Sequence, residues 1–80
     1  MSVTVLLFAS YADALGTQSV AVDVPAEATV ADVLAAIRQH PGAAVLPKQP
    51  LVAVNQRYAR VNTPVAAGDE VAIIPPVAGG

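Results

Sequence analysis

Residues 29–40 read TVADVLAAIRQH. Val30, Val33, Leu34 and Ile37 fall at i, i+3, i+4 and i+7 and make one apolar stripe on a helix. Thr29 with Asp32 three residues on has the form of a capping box, with Asp in place of the usual Glu. Arg38, Gln39 and His40 then finish the helix before Pro41-Gly42, a pair that stops helices. The charged form of His40 suits a helix C-terminus. A helix with one apolar stripe has to bury it against another layer, and the segments on both sides of it read as strands.

To the left, Val3–Ala9 (VTVLLFA) is a compact β-branched run and reads as a buried strand. Ser10 is placed to cap a short helical turn over Tyr11–Leu15, which Gly16 closes. Thr17–Val24 alternates, with Val20, Val22 and Val24 on one side and Ser19, Ala21 and Asp23 on the other. That is a half-buried strand, and the tight connection makes it antiparallel to the first. Pro25 ends it. To the right, residues 41–50 hold three prolines and one glycine and read as a loop with room for one helical turn. Leu51–Val54 is a short strand, Asn55-Gln56 a turn and Tyr58–Val61 a return strand. Thr63–Ala67 leads to a turn at Gly68-Asp69, and Glu70–Ile74 is the last strand.

One helix against a sheet is the economical two-layer solution for this order. The expected fold is α+β: a β-grasp, or ubiquitin-like, domain over residues 1–74. It has a mixed four- to five-stranded sheet, the main helix on one face, and the last strand parallel to the first in the middle. Residues 75–80 follow as a flexible, extended C-terminal tail.

Composition narrows the function. Eighty residues make one domain, 55% hydrophobic and only 12% charged, against a usual charged share of about 25%. Charge alone cannot cover the surface, so an apolar patch and a protein partner are expected. The basic residues Arg38, Lys48, Arg57 and Arg60 form no run, and the net charge is −2; nucleic-acid binding by charge is not expected. No segment has the length of a membrane span and no signal peptide is evident, so the cytoplasm is the expected compartment. There is no cysteine and one histidine, which excludes thiolate chemistry and a multi-histidine metal site. Asp69 and Glu70 are expected to serve the turn and the solvent face; Asp13, Asp23, Glu27 and Asp32 read as helix-end or surface charges.

Chemistry concentrates in Pro75-Pro76-Val77-Ala78-Gly79-Gly80. Two prolines favour an extended exit, Val77 offers one apolar anchor, and the last residues narrow to bare backbone. Six extended residues reach roughly 20 Å, enough to enter a neighbouring subunit and present the Gly80 carboxylate. A free carboxylate is a poor acyl donor and needs activation, most simply as an acyl-adenylate made from ATP by a partner enzyme. Once activated it can accept sulfur as a thiocarboxylate or acylate a lysine. The chain has no phosphate-binding glycine loop of the usual pattern, no cysteine and no base dyad, so it reads as the carried substrate and not the catalyst.

The strand VLLFA (Val5–Ala9), AVNQ (Ala53–Gln56) and above all GDEVAIIPPVAGG (Gly68–Gly80) resemble the small, sulfur-carrier subunits of molybdopterin synthases, over essentially the whole chain. The resemblance implies a division of labour. An adenylating enzyme related to ubiquitin activators adenylates Gly80, and a persulfide-bearing sulfurtransferase converts it to a thiocarboxylate. The tail then enters the large synthase subunit, which holds the catalytic residues, in a heterotetramer. There the sulfur reaches cyclic pyranopterin monophosphate, for the dithiolene of the molybdenum cofactor. No bound cofactor or metal is implied; ATP is consumed by the activating enzyme and sulfur rides on Gly80. Gly79 and residues 75–78 insert with it. Phe8, Tyr58 and Ile74 match an apolar patch for the large subunit and the activating enzyme. Ile74 stands where the family often has Phe, and Ala12 where it often has Arg. Two alternatives share the chemistry: a carrier for thiazole or another thiolated metabolite, and a ubiquitin-like modifier of lysines. An interaction module with an inert tail is the alternative without it. The Pro75-Pro76-Val77 exit and the GDEV turn favour the molybdopterin branch, and Lys48, the only lysine, gives a polymeric modifier one side chain to use.

Overall fold

The computed structural model describes residues 1–76, so the expectations for Val77, Ala78, Gly79 and Gly80 lie outside the described residues. The elements are β1 (Ser2–Leu7), α1 (Ala9–Leu15), β2 (Ser19–Asp23), α2 (Val30–Ile37), a 3-10 turn over Ala43–Val45, β3 (Leu51–Val54), β4 (Arg57–Ala59) and β5 (Glu70–Ile74). They build one five-stranded sheet in the order β2-β1-β5-β3-β4. β1 runs antiparallel to β2 and parallel to β5, which in turn is antiparallel to β3. This is the β-grasp expected from the order of elements.

The sheet is two-faced. Val3, Val5 and Leu7 of β1, Val71 and Ile73 of β5, and Val52 of β3 are buried, together with the Val30, Val33, Leu34 and Ile37 stripe of α2. All belong to one core cluster. Side chains alternate across a strand, so Thr4, Leu6, Glu70, Ala72 and Ile74 share the opposite face, which no helix covers among the described residues. β1 is therefore half-buried, a correction to the reading of VTVLLFA as a buried strand. A short apolar run does not distinguish one covered face from two; here the second layer exists on one side only.

β1 is also shorter than expected. Phe8 is the N-cap residue of α1, in extended conformation, and Ala9 turns the corner at φ +49°. The Phe8 carbonyl accepts hydrogen bonds from Tyr11 N–H (3.0 Å) and Ala12 N–H (3.3 Å). Ser10 lies inside the helix and makes no cap, so backbone replaces the side-chain cap. Gly16 closes α1 in the left-handed region as expected.

Thr29 and Asp32 form the capping box of α2, with Thr29 N–H donating to Asp32 Oδ2 at 2.9 Å. The next two free donors meet the loop before β5: Val30 N–H bonds to Thr63 O (3.0 Å) and Ala31 N–H to Val61 O (2.9 Å). These are the orphan groups every helix start must satisfy. α2 ends at Ile37, not at His40, because the apolar stripe ends there. Arg38 turns outward and donates to the carbonyls of Pro47 (2.7 Å), Lys48 (3.2 Å) and Leu46 (3.5 Å), fastening the proline-rich loop.

Candidate functional site

The uncovered sheet face carries the three side chains expected to form a patch. Tyr58 is 76% exposed and Phe8 47% exposed, and Ile74 is half-buried. Ladder register brings them together. Leu6 lies beside Ala72, Ala72 opposite Ala53, and Ala53 opposite Tyr58. One step along, Ile74 pairs with Leu51, and Phe8 follows the Leu7–Ile73 pair. Leu6, Phe8, Ala53, Gln56, Tyr58, Glu70, Ala72 and Ile74 line a trough of about 360 Å³. Its floor is the two alanines, and its walls are the larger side chains in the flanking strands. Phe8 is shared with a second depression, of about 410 Å³, which includes Ala12, Gln18 and Ser19. The small Ala12 therefore opens onto the same surface as Phe8.

The trough is held at one end by a clasp between two turns. Asn55 and Gln56 both take positive φ, +49° and +72°, as a two-residue hairpin of the favoured twist requires. Asn55 Nδ2 donates to Asp69 Oδ1 (3.1 Å), and Asn55 Oδ1 accepts from Glu70 N–H (3.1 Å). Asp69 Oδ2 accepts from Ala66 N–H at 2.7 Å. The Ala66 N–H, and after it the Asn55 amide, hold the Asp69 carboxyl below its ordinary value of 3.8, because both donors favour the charged form. At the other end β5 finishes at Ile74 beside Phe8, so Pro75 and Pro76 leave from the rim of the trough.

The trough is an open, mainly apolar surface with one charged side chain in its lining. Among the described residues no group of three His, Asp or Glu side chains could hold a metal ion, and no helix is long and apolar enough to cross a membrane. His40 is spent locally, with Nδ1 at 2.9 Å from the Pro41 carbonyl oxygen. Phe8, Tyr58 and Ile74 were legible from sequence; Leu6, Ala53, Gln56, Glu70 and Ala72 were not picked out. The alternation Glu70-x-Ala72-x-Ile74 carried the signal for Glu70 and Ala72, but that β3 lies on its other side did not follow from the pattern.

The ThiS family profile matches residues 5–80. The human molybdopterin synthase sulfur carrier subunit is 37% identical over 82 residues, covering 98% of this chain and 93% of that protein. Small archaeal modifier protein 1 of Haloferax volcanii is 39% identical over 83 residues, covering 92% of this chain and 95% of that protein. A crystal structure of SAMP1 from the same organism superposes with a TM-score of 0.87 at 36% identity, covering all of both chains. The Amycolatopsis orientalis BexX/CysO complex contains a chain of TM-score 0.73 and 26% identity, covering 98% of this chain and 99% of that one.

Proposed function

The chain belongs to the ThiS family, and from that premise we propose that it is the sulfur carrier subunit of a molybdopterin synthase. The observation that carries this reading is the 37% identity to the human sulfur carrier subunit over 98% of the chain. The exposed trough supports it, since a carried protein needs a face its partners can grip, and the residues leading to the tail leave from that face.

In this reading Gly80 is the reacting residue. A separate, ubiquitin-activator-like enzyme converts its carboxylate and ATP to an acyl-adenylate and pyrophosphate. A sulfurtransferase persulfide displaces AMP, and cleavage of the acyl disulfide by a thiol leaves the thiocarboxylate. Pro75, Pro76, Val77, Ala78 and Gly79 thread the tail into the large subunit of a heterotetramer. There the sulfur passes to cyclic pyranopterin monophosphate, and hydrolysis of the acyl link restores the carboxylate. Glycine at 79 leaves the backbone without a side chain where a narrow channel must admit it. Phe8, Tyr58 and Ile74 dock on the large subunit and on the activating enzyme; an exposed tyrosine suits such a role. The chain supplies sulfur and no catalytic group, binds no cofactor or metal, and works in the cytoplasm.

A second reading, a ubiquitin-like modifier, is favoured by the 39% identity to small archaeal modifier protein 1. The intact mass of the protein after incubation with ATP, a sulfur source and extract of its own cells separates the two. A gain equal to sulfur replacing oxygen at Gly80 is expected. Recovery of the chain on lysines of other proteins, with no such gain, would replace the carrier reading by the modifier.

A further inference from the structure

Within the trough, the described residues place charge at one end only. Ala72 and Ala53 face each other as cross-strand partners, with Leu6 beside one and Tyr58 opposite the other. Two small side chains between two large ones leave a slot that runs along the strands. Side chains two residues apart on β5 are roughly 7 Å apart. Ile74 stands at one end of the slot, and Glu70 with Gln56 at the other. Glu70 is among the residues that line the slot, and it enters the clasp with Asn55 through its backbone, which leaves its carboxylate free for a partner. No ordinary apolar anchor fits this arrangement well, because it would lie against a carboxylate.

We infer that the slot receives an arginine side chain of the partner, its methylene stem on Ala72 and Ala53 and its guanidinium on Glu70. Arginine fits each part of the site. Its stem is apolar while its head stays polar, and its planar fork matches a carboxylate bidentately. The head lies near the Tyr58 ring, whose face attracts cations, and the Gln56 amide oxygen can accept a further hydrogen bond. Glu70, exposed in the free chain as its place in the sequence suggests, is then a specificity residue of the docking face. The inference rests on the carrier reading for the identity of the partner, the synthase large subunit; the slot itself rests on the sheet face alone.

Two measurements test it. In the first, the amide spectrum of the full chain is followed while N-acetylarginine methylamide is added, with the norleucine analogue as control. Saturable shifts confined to Ala53, Glu70, Ala72 and their neighbours are expected, at least about tenfold weaker with norleucine, as the loss of a charged hydrogen bond implies. They should weaken about tenfold in Glu70→Gln and vanish in Ala72→Leu, which fills the floor. Equal shifts from both probes, no localised shifts, or indifference to Glu70→Gln overturns the inference. The second measures affinity for the large subunit from the same cells. Glu70→Gln should weaken it by on the order of tenfold to a hundredfold and flatten its salt dependence. Tight binding that ignores Glu70→Gln sinks the slot and leaves the carrier reading standing. Arginine seated in the slot with no binding to the large subunit does the reverse.

Discussion

Gly16 and Gly42 both take positive φ, +76° and +90°, but their surroundings differ. A Cβ on Gly16 meets nothing within 4 Å, whereas one on Gly42 would lie 2.1 Å from the backbone oxygen of Ala14. Gly42 is thus where the loop after α2 presses onto α1, and only a residue without a side chain fits. Gly16→Ala should cost about 1 kcal/mol, from the left-handed backbone alone. Gly42→Ala should cost about 3 kcal/mol or more, since strain and overlap add. Urea unfolding of the two variants checks this, and equal costs would contradict the close approach. Asp69 supplies a pH dependence at the same scale. Its folded pKa is lowered by hydrogen bonds from Ala66 and Asn55, so its stabilising effect is fully present above the ordinary carboxylate value and is lost as pH falls through the lower, folded one. Melting temperature should therefore fall on acidification below about pH 4. Asp69→Asn should flatten that limb and lower stability at neutral pH; an unchanged acid limb would show that the clasp does not hold the charge.

At the scale of elements, α2 and its following loop behave as one unit through Arg38, whose guanidinium holds the carbonyls of Leu46, Pro47 and Lys48. Three prolines stiffen that loop, but it contains only a 3-10 turn and has little ladder of its own. Arg38→Ala should raise amide exchange at Val45 and Leu46, with little change at Val33–Ile37, because local opening does not require the helix to unfold. Exchange measured by NMR decides it; a uniform rise would mean that the loop and helix open together. The elements also show where pattern reading succeeds. The α2 stripe, the Thr29–Asp32 box, β3, β5 and the Asn55-Gln56 turn were all legible, because each rests on local period or local backbone geometry. β1 was misjudged because VTVLLFA is apolar on both faces, and Leu6 is spent on the uncovered one. The Ser10 cap failed because the sharp turn at Phe8 and Ala9 lets a backbone carbonyl do its work.

For the whole molecule, the largest fully buried side chains among the described residues lie in β1, α2 and β5, and Pro75 and Pro76 are not among them. Deleting Gly80 should abolish sulfur transfer while leaving the melting temperature unchanged, measured by calorimetry and by thiocarboxylate formation. A large drop in melting temperature would make the end structural and undercut its proposed role. The trough was half legible. Low charge and many apolar residues called for a patch, and Phe8, Tyr58 and Ile74 lie on one.

The sequence by itself determined the order of the elements, the face of α2 that is buried and a residue inventory without cysteine, and it carries the Gly79-Gly80 pair on which the proposed acyl chemistry rests. These follow from short-range periodicity and from residue inventory. The place of β5 beside β1 in the middle of the sheet was expected from the order of elements; only the tertiary structure decided that β3 is its other neighbour, and therefore that Ala72 meets Ala53, that Leu6 and Tyr58 wall them, and that Glu70 closes one end. Those neighbours come from strands far apart in the chain, and strand register is set by the burial of the opposite face against α2. A pattern of period two tells which residues share a face, and only the packed sheet tells what they share it with.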